Sequence, residues 1–149
     1  MYRCVIFDLD GTLLNTLDDL ADAGNYTCRK NGWPEHPVEA YKYFVGNGMA
    51  KLVERFTPEE YRTTERLKAA LEEFTPYYDA HKEDKTVPYP GIPGLLEKLR
   101  AAGIEIAVLT NKAHPLAEGV MERYFPGVFP FVHGGTARQA NQARSHPAA

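Results

Sequence analysis

Asp8 and Asp10, two residues apart and followed at once by Gly11 and Thr12, are the residues best suited to chemistry. They close the apolar run Cys4–Phe7, whose β-branched and aromatic content reads as a strand buried on both faces. A sheet interior has no use for a carboxylate, because burying an unpaired charge is very costly. Asp8 therefore belongs at the carboxyl end of that strand, where open α/β sheets place their ligands. Gly11 lets the chain turn sharply there, and Thr12 adds a hydroxyl beside the acids. A second apolar run, Ile104–Leu109, ends in Thr110-Asn111. Parallel strands bring their carboxyl ends to one edge, so Thr110 and Asn111 can converge with Asp8 and Asp10. A hydroxyl beside the N–H groups of a strand-to-helix turn suits a phosphate. Taken alone, the same pair is as readily a helix N-cap.

The elements that must hold these residues follow from period and punctuation. Residues 2–8 are the first strand. From Thr16 the period becomes helical through Leu17, Leu20, Ala21, Gly24 and Cys28, with Asp18, Asp19 and Asp22 suiting the helix dipole. Gly32-Trp33-Pro34 closes this helix. Further helices are expected over Val38–Phe44, Met49–Phe56 and Pro58–His81, the last broken near Thr63. No strand is expected between Thr16 and Asp84. Val87–Gly91 is a proline-marked linker. Beyond it come a helix over Ile92–Ala102, the strand Ile104–Leu109, a helix over Pro115–Tyr124 and a short strand Phe131–His133. Strand, helical insertion, then alternating helix and strand describes an α/β parallel-sheet core interrupted by a helical cap.

The chain has 149 residues, 44% hydrophobic and 25% charged, which is ordinary for a globular protein of one domain or a small core with an insertion. A net charge of −3 gives no reason to expect nucleic acid or an anionic membrane as partner. Neither a bilayer-spanning stretch nor a basic-then-apolar signal is seen, so a cytoplasmic protein is expected. Cys4 and Cys28 are read as reduced, packed thiols.

Asp-Leu-Asp-Gly-Thr-Leu after an N-terminal apolar strand resembles motif I of the haloacid dehalogenase-like hydrolases, and Leu14–Leu20 is similar to their phosphoglycolate phosphatase branch. Thr110 matches motif II. The resemblance implies a Rossmann-like parallel-sheet core over 1–15 and 85–136, with an all-helical cap over 16–84. It implies an enzyme that hydrolyses phosphate monoesters, 2-phosphoglycolate first among them. Asp8 would be the nucleophile and form an aspartyl-phosphate, and Asp10 the general acid and base. Mg2+ would be held by Asp8 and the Asp10 carbonyl. Thr12 would orient Asp10, while Thr110, with Asn111, would grip the phosphoryl group. Gly46-Asn47-Gly48 matches in position a cap loop lowered over a small phosphorylated metabolite, and equally a plain helix–helix turn. Lys51 and Arg55 either meet a substrate carboxylate or form a solvated helix face. Lys112 does not match the family's catalytic lysine.

The resemblance runs to about His133 and then fails. A Lys-Pro motif and a later strand ending in acidic residues are expected and do not appear; no lysine follows Lys112 and no acid follows Glu122. From Gly134 the chain is polar without apolar period, which reads as disordered. Written as CAA GCC AAC CAA GCC CGA TCC CAC and shifted by one nucleotide, residues 139–146 become Lys-Pro-Thr-Lys-Pro-Asp-Pro. This predicts an out-of-frame tail over 137–149, an impaired site and self-association through the exposed edge of the first strand. A phosphomutase of the same superfamily, or a catalytically dead module binding phosphate or another protein, stands as the alternative.

Overall fold

A computed structural model describes residues 3–135. The chain opens with β1 (Cys4–Phe7) and β2 (Leu14–Asn15). Helices α1 (Leu17–Asn31), α2 (Val38–Phe44), α3 (Met49–Phe56) and α4 (Thr64–His81) follow, with a 3-10 turn at Glu59–Tyr61. It returns through β3 (Val87–Pro88), α5 (Ile92–Ala101), β4 (Glu105–Ala113), α6 (His114–Tyr124) and β5 (Phe131–Gly135). Two compact units result: one from the described parts of Met1–Asn15 and Val87–Ala149, the other from Thr16–Thr86.

The first unit is α/β. Its sheet runs β1-β4-β5, all parallel, with Phe7 opposite Val108 and Val108 opposite Val132. Side chains alternate across a strand, and on β4 Ile106 and Val108 are buried while Glu105 and Leu109 are exposed. Leu96 of α5 and Ala117, Val120 and Met121 of α6 join Ile106 and Val108 in one cluster. Both helices therefore cover the same face.

The opposite face carries Cys4, Ile6, Leu109, Phe131 and His133, all exposed. Ile6 at 64%, Leu109 at 54% and Phe131 at 66% exposure overturn the expectation of strands buried on both faces. An apolar run records what a strand can bury, and the second covering layer must come from elsewhere in the fold. For the same reason Cys4 is exposed and only Cys28 is a packed thiol.

Three further differences are local. Leu14 pairs with Pro88 and Asn15 with Val87 in an antiparallel ribbon, where a linker was expected. The second strand continues to Ala113. Gly134 and Gly135 lie in β5, not in a polar tail. A Cβ on Gly134 would come within 2.8 Å of the Lys112 carbonyl, and one on Gly135 within 2.8 Å of the Asn111 carbonyl. Hydropathy cannot register such a close backbone approach. The tail expected over 137–149 lies outside the described residues.

The second unit is helix and turn alone. Gly32, at φ +72°, ends α1, and Trp33 N–H donates to the Cys28 carbonyl at 2.8 Å, as a left-handed C-cap allows. Thr63 Oγ1 accepts the Arg66 N–H at 3.3 Å and starts α4. That cap explains the expected break. Tyr41, Phe56, Phe74 and Tyr78 fill the core, with Phe74 and Tyr78 stacked at 5.7 Å. Tyr41 lies so close to α1 that a Cβ on Gly24 would sit 2.6 Å from its Cε1. Buried Asp19 accepts the N–H groups of Lys85 and Thr86, at 3.0 and 2.9 Å, and the Thr86 hydroxyl at 2.7 Å. This carboxylate ties the end of the unit to its first helix, in whose first turn it lies.

Candidate active site

The parallel register that sets Phe7 opposite Val108 places Asp8, at the end of β1, level with the Leu109-Thr110 step of β4, which itself runs on to Ala113. After β1 the chain folds back at once. The Leu9 carbonyl accepts the N–H groups of Thr12, Leu13 and Leu14 at 3.3, 3.0 and 3.2 Å, and Gly11 takes φ +80°. Leu9, Leu13 and Leu14, each fully buried, anchor this turn in the core. Three leucines thus fix the backbone that carries the two acids.

The acids differ in setting. Asp8 is exposed, and its Oδ1 accepts the Leu9 N–H at 2.7 Å. Asp10 is half-buried, and its Oδ1 is shut from solvent without a hydrogen bond. That oxygen lies 3.3 Å from Lys112 Nζ, an ion-pair distance that lacks hydrogen-bond alignment. The Lys112 side chain is only 2% exposed. Its burial follows from strand alternation, since Thr110 and Lys112 fall on the same side of β4 as Ile106 and Val108. Lys112 does not match the catalytic lysine that the resemblance implies, and so takes no role from it. The signal that could have found it is parity: two residues beyond Thr110, it must point the same way.

Thr110 Oγ1 accepts the Lys112 N–H at 3.1 Å, which leaves the hydroxyl proton for an incoming oxygen. Asn111 and Thr12 are exposed, and Asp10 Oδ1 takes no hydrogen bond. Asp8, Asp10, Thr12, Thr110, Asn111 and Lys112 thus belong to the α/β unit. Gly46, Asn47 and Gly48 belong to the helical unit, in the turn between α2 and α3, with Gly46 at φ +110° and Gly48 at φ +89°. Lys51 pairs with Glu54 at 3.1 Å, and Arg55 donates to the Phe44 carbonyl at 3.0 Å. Their charged ends are used within the helical unit.

Mg2+ demands near-octahedral oxygen donors. Among the described residues no three acids, histidines or cysteines gather as such a site would need. The Asp10 carboxylate is moreover faced by an ammonium. The residues present do not fit a complete magnesium site. No helix among them is long and apolar enough to cross a membrane.

A family model described as haloacid dehalogenase-like hydrolase matches residues 5–142, past His133 where the resemblance was expected to fail. Phosphoglycolate phosphatase of Psychrobacter arcticus is 34% identical over 140 residues, covering 89% of this chain and 61% of the relative. That of Aquifex aeolicus is 31% identical over 134 residues, with the same shares. A solved structure from Lactobacillus delbrueckii subsp. bulgaricus is 30% identical with a TM-score of 0.85, covering 98% of this chain and 74% of its own. The chain spans 61% of the length of both curated relatives.

Proposed function

The chain belongs to the haloacid dehalogenase-like hydrolases, and from that premise we propose that it carries the reacting carboxylates of a phosphate monoester hydrolase. The observation that carries the reading is the parallel pairing of β1 with β4, which sets exposed Asp8, at the end of β1, level with the Leu109-Thr110 step of β4, where Thr110 is buried. Asp8 attacks phosphorus and the P–O bond to the leaving alkoxide breaks, giving an aspartyl-phosphate. Asp10 supplies the proton to the alkoxide, then takes one from the water that releases phosphate. Thr110 donates its free hydroxyl proton to a phosphoryl oxygen. The substrate is a small phosphorylated metabolite, 2-phosphoglycolate first, by likeness to relatives so named. Residues 16–84 act as the cap, with Gly46-Asn47-Gly48 toward substrate and Thr12 and Asn111 as auxiliary phosphate contacts.

Mg2+ is the cofactor expected from the family, and no step above is drawn through it. A cytoplasmic protein, with neither nucleic acid nor membrane as partner, fits its composition. A second reading has its own support: without a three-ligand cluster among the described residues, the chain binds phosphate groups and hydrolyses monoesters only near background.

Phosphate release from 2-phosphoglycolate and from a generic aryl phosphate, with and without Mg2+, separates the two. Enzyme-like release that falls by several orders of magnitude in Asp8→Asn supports the hydrolase. Near-normal release in Asp8→Asn would sink the mechanism. Background release in both proteins, with phosphate still bound, selects the binding module.

A further inference from the structure

Lysine is almost never fully buried unless it is paired, and Lys112 is buried against one oxygen of Asp10. We propose that Lys112 is a built-in counter-cation of the Asp10 carboxylate, and that it opposes divalent cations at this turn. The inference rests on the reading of these acids as the site, and not on turnover.

The geometry supports it in three ways. The ammonium is 3.3 Å from Asp10 Oδ1, and that oxygen is shut from solvent and takes no hydrogen bond. It is therefore compensated by charge alone. The side chain is enclosed, so the ammonium acts on ligands through Asp10 and the field it sets at the turn, not by direct contact. Lys112 is a positioning residue by that criterion. Its place is also fixed from behind, because its backbone N–H is held by Thr110 Oγ1 at 3.1 Å. An ammonium on the buried side of the turn repels a divalent ion arriving from outside. In a medium of effective dielectric near 20, charges a few ångströms apart alter affinity by orders of magnitude. A flexible site relaxes part of that away, so removal of the charge is expected to tighten Mg2+ by at least about tenfold.

The test is calorimetric titration of Mg2+ into the 149-residue chain in phosphate-free buffer. The unsubstituted protein should give no saturable binding. Lys112→Met should bind at least about tenfold more tightly than that limit, and Lys112→Met with Asp8→Asn should lose the gain. Lys112→Arg, which keeps the charge, should remain as weak as the unsubstituted chain. If Met and Arg tighten binding alike, the cause is loosened packing, and the proposal falls. It falls equally if the unsubstituted chain already saturates as tightly as Lys112→Met. Should Lys112→Met not fold by circular dichroism, Lys112→Gln takes its place. Saturable tight binding by the unsubstituted chain overturns the idea without any variant. Phosphate release is read separately, so a chain that follows this pattern but hydrolyses nothing loses only the hydrolase reading.

Discussion

The helical unit and the α/β unit bury their apolar residues in opposite ways. In the helical unit Tyr41, Phe56, Phe74 and Tyr78 are enclosed by α1 to α4, each at most 1% exposed. In the α/β unit two helices share one face of a three-stranded sheet, and Ile6, Leu109 and Phe131 stand in water on the other. A helix needs one buried stripe and can find it among its sequence neighbours. A parallel sheet has two faces and normally needs a layer on each. Helices joined by short connections share one core in the helical unit, whereas this sheet offers an apolar face with no covering layer among the described residues. The contrast also separates the charges: Asp19 in the helical unit is satisfied by backbone and hydroxyl donors, while Asp10 relies on an ammonium.

If the helical unit holds its own core, Phe74→Ala should break it. We expect a loss of about 4 kcal/mol from the transfer and cavity terms. The single tryptophan, Trp33, lies in that unit and reports on it. Denaturant unfolding followed by its fluorescence should shift, while hydrogen exchange on β4 should not. Equal shifts in both would show that the units unfold as one.

The reciprocal change is Asp10→Asn, which takes the carboxylate from a buried ammonium. A cost of about 3 kcal/mol is expected in the α/β unit, read by hydrogen exchange on β1 and β4 with the Trp33 transition unmoved. The double variant Asp10→Asn, Lys112→Met should recover part of that loss. Additive losses would show that the pair is not coupled.

Ile6→Lys tests the uncovered face together with the free edge of β1. A surface change of this kind should move stability by less than about 0.5 kcal/mol. It should nevertheless reduce concentration-dependent association in sedimentation velocity, since an exposed apolar edge is a template for pairing. A monomer at high concentration before the change would refute self-association through this edge.

The smallest effect is on alkaline stability. Burial, then the nearby Glu35 carboxylate, pushes the Cys28 thiol up from 9.0 to about 11, and burial pushes the Tyr41 hydroxyl up as well. Both groups stay neutral in the folded unit while the unfolded chain ionises. The Cys28 contribution is therefore complete below pH 9.0 and is lost as pH rises through about 11. The Trp33 midpoint should fall over that window, and less steeply in Cys28→Ala. Exposed Cys4 should react with a thiol reagent at neutral pH, where Cys28 does not.

The sequence by itself determined most of the helices and the placing of Asp8 and Asp10 at the end of β1. The expected bounds Val38–Phe44 and Met49–Phe56 match α2 and α3, because helical period and the intervening glycines are local signals. Asp8 and Asp10 were legible for the same reason: a carboxylate after an apolar run has one tolerable place. Only the tertiary structure decided which face of the sheet is covered, since β1 and β4 read alike with one covered face or two. It also decided that Gly134 must be small against the backbone at Lys112, and that Asp19 is a clasp. Above all it decided the partner of Asp10. A lysine that does not match the catalytic one has no assigned partner in one dimension. Strand parity and a neighbouring turn brought Lys112 Nζ to 3.3 Å from Asp10 Oδ1, and burial made that contact matter.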